Sequence, residues 1–210
     1  MSPELVGPVA LLVIDLQGNG YQEDAERGIP LAPGFSSVVE HTVTLVEAAR
    51  RFGIPVIFTA EHHSPELVDI GRELDGSEGV HCLSGDPGTE LLEVLGRRPD
   101  EFLIMKRRYS AFFGTDLGII TKGLGVRTLI IAGALTDVCV HYSFVDAHQL
   151  DYHAFVVREC VIGSSCEANA AALDAIAYLQ REAVVTLGEI LESMGALSGK
   201  PASDRSHASI

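Results

Sequence analysis

Six side chains along this sequence are of types that do chemistry when brought together: Asp15, Glu61, His63, His81, Lys106 and Cys139. Cysteine is the strongest nucleophile of the set once it loses its proton, and it needs a neighbouring base to take that proton. Asp15 closes the apolar run Val9 to Ile14, so desolvation should raise its carboxyl pKa and suit it as that base. Lys106 follows a second such run, in IMKRRYSAFFGTDL, where an ammonium can hold a carboxylate and a thiolate as anions and attract a developing oxyanion. Cys139 lies in GALTDVCV: Gly133 leaves a strand, Thr136 or Asp137 can cap the next helix, and the thiol falls in its first turn, where the helix dipole lowers a thiol pKa. A small core residue would fit the same position equally well. His141 is a poor base for Cys139, because residues two apart on a helix do not face each other.

If the chain stays extended at Glu61-His62-His63, Glu61 and His63 point to one side and His62 to the other. His81, in VHCLSGDPGTEL, completes a His, His, carboxylate set that suits zinc, iron or manganese with open coordination positions. No ligand pair here has helical HxxxH spacing, so two loop histidines and a surface acid account for the pattern as well.

Only a scaffold that gathers distant chain positions can assemble these groups. Continuous apolar runs recur at Val9–Asp15, Pro55–Ala60, Glu101–Met105, Thr128–Ala132, His153–Arg158 and Ala183–Leu187, which predicts strands buried on both faces. Helical patterns lie between them: a stripe of Val39, Val43, Val46 and Ala49 closing at Gly53 and Pro55, then Thr89–Leu95, Asp116–Lys122, Asp137–Leu150 and Ala168–Leu179. This alternation predicts an α/β fold, a doubly wound six-stranded parallel sheet in three αβα layers. Chemistry in such a sheet collects at the carboxyl ends of strands, beside the point where strand order reverses. Asp15, then Glu61 and His63, then Lys106, then Thr136 to Cys139 occupy four consecutive strand ends. The first strand runs into DLQGNGY, which is neither GxGxxG nor a Walker loop, so no nucleotide cofactor is expected.

The 210 residues are expected to form one domain over 1–198, with the polar, aperiodic stretch 199–210 as a frayed end. With 15 Lys+Arg against 29 Asp+Glu, the formal charge of −14 argues against nucleic-acid or anionic-membrane partners and leaves a small molecule. The apolar stretch Val9 to Ile14 is far short of the ~20 residues a membrane helix needs, and Met1 to Pro8 lacks a secretory pattern, so a cytoplasmic location is expected. Cys82, Cys139, Cys160 and Cys166 form no CxxC pair, which removes the support for a disulfide framework or an all-cysteine zinc site.

Three motifs remain: Asp15-Leu16-Gln17 as D-x-Q, Lys106 to Phe112 as K-x-R-Y-S-A-F, and Gly133 to Val140 as G-x-x-T-D-x-C-V. In this order, over about residues 8–190, they resemble the isochorismatase-like cysteine hydrolase superfamily, which includes nicotinamidases, N-carbamoylsarcosine and ureidoacrylate amidohydrolases, and biuret hydrolase. The resemblance implies Asp15, Lys106 and Cys139 as a catalytic triad, a non-proline cis peptide at Ala134-Leu135, and an oxyanion hole from the backbone N–H groups of Leu135 and Cys139. Nicotinamidase metal segments, D-x-H and H-C-V, align with Glu61-His62-His63 and His81-Cys82-Leu83, implying Glu61, His63 and His81 as ligands of a divalent zinc, iron or manganese. Glu in place of Asp is one methylene longer and leaves coordination direct, water-mediated or absent. Gly79-Val80 stand where nicotinamidases carry a tryptophan, which argues against a pyridine-ring substrate. Gln17, with Tyr21, Tyr109 and Phe113 as the available aromatics, are the expected substrate contacts. The implied activity is hydrolysis of a small amide or ureido C–N bond through a thioester, in a homo-oligomer. A vinyl-ether hydrolase of the isochorismatase type and a noncatalytic ligand-binding domain are the alternatives; the retained Cys139 weighs against the first, the intact set of three against the second.

Overall fold

The computed structural model describes residues 2–18, 29–76 and 78–198, so Tyr21 and the expected frayed end at 199–210 lie outside the described residues. Strands and helices follow in the order β1 (Val9–Ile14), α1 (Phe35–Arg51), β2 (Val56–Glu61), β3 (Phe102–Lys106), α2 (Leu117–Gly123), β4 (Thr128–Ala134), α3 (His141–Gln149), β5 (His153–Ile162), α4 (Cys166–Leu179), β6 (Val184–Val185) and α5 (Leu187–Ser198). The six strands are parallel and ordered β3-β2-β1-β4-β5-β6. The chain winds outward from β1 to β3, then restarts beside β1 with β4, so the reversal of order falls between β1 and β4.

Alternate residues of the apolar strands feed two cores. Leu11 and Val13 of β1 pack with Val39, Leu45 and Val46 of α1 and with Ile190 and Met194 of α5. Ala10, Leu12 and Ile14 join Leu117 of α2, Phe144 and Ala147 of α3 and Ile176 of α4 on the opposite face. The sheet is thereby covered on both sides, and each fully buried aliphatic side chain contributes about 1.5–3 kcal/mol. Among the described residues no helix is long and apolar enough to cross a membrane.

Four details depart from the sequence reading. The edge strand β3 exposes Phe102, Leu103 and Met105 instead of being buried on both faces. Thr89–Leu95 is not a helix; 3-10 turns at Pro87–Thr89 and Glu93–Leu95 replace it, because Gly88 and Gly96 bracket the segment and Leu91 pairs with Gln17 as an antiparallel bridge. The helix expected to start at Asp137 opens as a π-helical turn, Thr136–Val140, before α3. Helix α5 was not foreseen, although Thr186 and Glu189 exchange the two bonds of a capping box: Glu189 Oε2 accepts from the Thr186 N–H, and Thr186 Oγ1 accepts from the Glu189 N–H.

Candidate active site

Two sequence features force the ends of β1 and β4 together. Gly133 of β4 pairs with Ile14 of β1 and has φ +126°; a Cβ there would sit 2.0 Å from the Ile14 carbonyl oxygen. Only glycine permits that approach. Asp15 follows directly, itself in the left-handed region at φ 49°, and Thr59 of β2 fixes its carboxylate by donating from Oγ1 to Oδ1 at 2.6 Å. On the β4 side the Ala134-Leu135 peptide is cis, and the π turn places Cys139 over the sheet. The Leu135 carbonyl accepts from both Val138 and Val140, the latter an i to i+5 bond of the kind that recurs at functional sites. Neither Thr136 nor Asp137 caps the turn as expected. Asp137 instead braces it against the loop after β5, accepting from the Ser164 N–H at 2.8 Å and hydroxyl at 2.5 Å. Ser143 ties the turn to the Lys106 segment, donating to the Cys139 carbonyl at 2.6 Å and accepting from the Ala111 N–H at 2.8 Å.

Lys106, ending β3 with 0% exposure, is the hub. Its Nζ lies 2.7 Å from Asp15 Oδ2, 2.5 Å from Glu61 Oε2 and 3.4 Å from Cys139 Sγ. Burial raises the Asp15 carboxyl pKa, against the opposing pull of Lys106. At Glu61 burial also pushes upward, but Lys106 and the bonds from His63 and His81 prevail and hold its carboxyl well below the usual range. The Cys139 thiol is pushed well up by burial and by Asp15 and Glu61, which outweigh Lys106. The sequence expectation of a lowered pKa is thus reversed: a helix-start position helps a thiolate only when solvent or cations dominate, and here two carboxylates share the cavity. Cys139 therefore rests as a thiol beside a carboxyl of raised basicity. Asp15, Glu61 and Cys139 present atoms within 4.8 Å of one another.

Glu61 also faces a second cluster. Its Oε1 lies 3.1 Å from His63 Nε2 and 2.9 Å from His81 Nε2, and Glu73 Oε2 lies 3.3 and 3.6 Å from the same two nitrogens. Glu73, 4% exposed in a 3-10 turn (Glu73–Asp75), has neither carboxylate oxygen hydrogen-bonded. The fit to a divalent ion is close: four donors at bond lengths of about 2.0–2.1 Å in a tetrahedron stand roughly 3.3 Å apart. His81 Nδ1 is 2.7 Å from the Gly79 carbonyl, which makes it the protonated nitrogen and leaves Nε2 as the ligand atom. Burial opposes a charge on His81, yet Glu61 and Glu73 push its pKa up to about 10, so this pocket of carboxylates demands positive charge. Sequence reasoning missed Glu73, which belongs to no motif and lies in a loop.

Over Asp15 and Cys139 opens a cavity of about 80 Å³. Ile29, Leu31, Phe35, Leu135 and Val138 contribute apolar lining, and Glu78, Cys82 and Tyr109 line it together with Asp15 and Cys139. Gln17 borders the cavity, but its amide is engaged elsewhere: Nε2 donates to the Glu61 carbonyl at 2.9 Å and to the Thr89 carbonyl, and Oε1 accepts from the Glu61 N–H at 2.9 Å. Phe113 is 66% exposed and does not line the cavity, because the Ser110 hydroxyl, which donates to Asp146 at 2.5 Å, turns the loop so that Phe112 rather than Phe113 packs inward. His62 faces a separate groove with Glu90, Arg97, Leu103 and Met105. Cys139, Cys160 and Cys166 are free thiols.

Comparison with known proteins agrees with this architecture. Residues 9–189 match the family model of the isochorismatase domain. A protein of Arabidopsis thaliana named as a probable inactive nicotinamidase is 33% identical, over 77% of this chain and 84% of its own length. Maleamate amidohydrolase of Pseudomonas putida is 34% identical, over 72% of this chain and 71% of its own. Among solved structures, pyrazinamidase of Pyrococcus horikoshii in complex with zinc superposes with a TM-score of 0.74 at 25% identity, covering 86% of this chain and 99% of that one. With residues 9–189 of 210 matched by that family model, the chain belongs to the isochorismatase family of hydrolases.

Proposed function

We propose that the chain is a cysteine-dependent amidohydrolase acting on a small amide or ureido carbonyl. The observation that carries this reading is Lys106 Nζ in simultaneous reach of Asp15, Glu61 and Cys139, three residues that line a small cavity above it. Asp15 takes the Cys139 proton as sulfur adds to the carbonyl carbon, so no standing thiolate is required. The negative charge developing on the substrate oxygen falls to Lys106 and to the backbone N–H groups of Leu135 and Cys139; no described residue accepts a hydrogen bond from the Leu135 N–H. Breaking the C–N bond returns the proton from Asp15 to the departing nitrogen, which leaves as ammonia or an amine. Water then attacks the thioester with its proton passing to Asp15, and collapse releases the acid and restores the thiol. The 34% identical maleamate amidohydrolase supports an amide substrate class.

Glu61, His63, Glu73 and His81 would hold a divalent zinc, iron or manganese, adding Glu73 to the three ligands expected from sequence. Such an ion would supply Lewis-acid charge beside the cavity. This chain's part is to orient it: Gly79 and Asp69 face the outer nitrogens of His81 and His63, and Glu61 couples the cluster to Lys106. The test of the amidohydrolase reading is ammonia release across a panel of small amides by the wild type and by Cys139→Ala. Loss of turnover with an unchanged melting temperature is expected; full turnover by the variant would overturn the mechanism.

A further inference from the structure

The cavity's charge is one-sided. Three carboxylates line it, from Asp15, Glu61 and Glu78, and no Lys, Arg or His does so among the described residues. Lys106 lies beneath the floor, and Asp15, Glu61 and Cys139 surround its ammonium. The nearby guanidinium groups are turned away: Arg107 pairs with Asp69 Oδ2 at 2.8 Å, and Arg108 donates to the Asp69 carbonyl at 2.6 Å. Glu78 is the outlying acid of the three. Its side chain is 17% exposed, its nearest ion-pair partner among the described residues is His81 Nε2 at 3.9 Å, and it lines the cavity together with Tyr109. A divalent ion on the neighbouring cluster would not reverse this balance, since Asp15, Glu61, Glu73 and Glu78 outnumber the charges of that ion and Lys106 together.

A substrate carboxylate entering here would leave water for a wall of like charge, with no cation among the described lining residues to meet it. We propose that the site selects amides whose far end is neutral or cationic and rejects acidic amides, with Glu78 as the residue that reads the charge. The inference rests on the amidohydrolase reading and sharpens it: it separates this chain's substrate class from maleamate, the acidic amide in the name of its Pseudomonas putida relative. The apolar wall of Ile29, Leu31 and Phe35 accommodates the methylenes, while Glu78 acts on what lies beyond them.

Three amides of matched chain length make the test at pH 8: succinamate (anionic), butyramide (neutral) and 3-aminopropionamide (cationic), with maleamate as a second anion. For the wild type, kcat/KM for either anion should be at least about tenfold below that for butyramide, as expected for one like charge in a partly desolvated site. Glu78→Gln should raise the succinamate-to-butyramide ratio about tenfold and lower the 3-aminopropionamide-to-butyramide ratio, whereas Glu78→Asp should keep the wild-type order. Cys139-dependent turnover that favours succinamate or maleamate, or ratios unmoved by Glu78→Gln, would overturn the charge inference and leave the amidohydrolase reading standing. No ammonia from any of the four, with no mass shift on Cys139, would overturn both.

Discussion

Replacing Lys106 by Met keeps an unbranched stem of similar length and deletes one charge, which isolates what the ammonium does. In the wild type that ammonium holds two buried carboxyl groups, at 2.7 and 2.5 Å, with 0% exposure. Removing one partner of a buried ion pair costs about 3–5 kcal/mol, because the remaining charge is left desolvated. At 2–4 °C per kcal/mol for a domain of this size, the melting temperature should fall by roughly 6–20 °C at pH 8. The pH dependence follows from the direction of the shift. Without Lys106, burial raises a carboxyl pKa above its unfolded value, so the folded state binds a proton that the unfolded chain has released. The deficit is then small at and below the unfolded pKa of about 4, grows as pH rises, and is complete above the raised folded pKa. Urea denaturation of wild type and Lys106→Met at pH 5 and pH 8 measures this directly, and the gap should be wider at pH 8. A variant as stable as wild type at pH 8, or a gap of equal size at both pH values, would refute the claim that Lys106 neutralises Asp15 and Glu61.

Because burial and two carboxylates keep Cys139 protonated, the exposed Cys166 should react with iodoacetamide first at pH 7.5, and the rate at Cys139 should climb with pH; peptide mass mapping that finds Cys139 modified ahead of Cys166 would contradict this. Gly133→Ala, whose Cβ would fall 2.0 Å from the Ile14 carbonyl oxygen, should cost more than about 4 kcal/mol or prevent folding, whereas Gly118→Ala, with open space around its Cβ, should leave stability unchanged or raise it by up to about 1 kcal/mol in denaturation experiments. Elemental analysis after growth with zinc, iron and manganese should find about one ion per chain, lost in Glu73→Gln together with its stabilisation; stoichiometry near zero in the wild type would return the cluster to a purely structural role.

Much of the scaffold was legible because burial on two faces writes itself as unbroken apolar runs, and β1, β2 and β4 are buried at every residue. The edge strand β3 misled in burial though not in place, since Phe102, Leu103 and Met105 are apolar yet exposed. Strand ends put Asp15, Lys106 and Cys139 on one edge of the sheet, but β2 separates β3 from β1, and it is the reach of the Lys106 side chain that brings the three together. What stayed hidden depends on contacts that no periodicity encodes. Glu73 reaches the two histidines from a 3-10 turn, Glu78 enters the cavity from a loop, and the upward shift of the Cys139 thiol is set first by its burial and then by three neighbouring charges. Helix α5, by contrast, was readable from Thr186 and Glu189 followed by Ile190 and Met194.

Gln17 gives the D-x-Q motif a second meaning. Residues 16 to 18 run against residues 90 to 92 through bonds from Gly18 N–H to the Glu90 carbonyl and from Leu92 N–H to the Leu16 carbonyl, while the Gln17 side chain stitches the end of β2 to Thr89. One primary amide thus does the work of a missing crossover helix, suspending the connection that leads to β3. An isosteric glutamate would turn two donated bonds into repulsion between oxygens, so the motif's last letter is a requirement of architecture, and its absence from a relative would signal a rebuilt connection before it signalled altered chemistry.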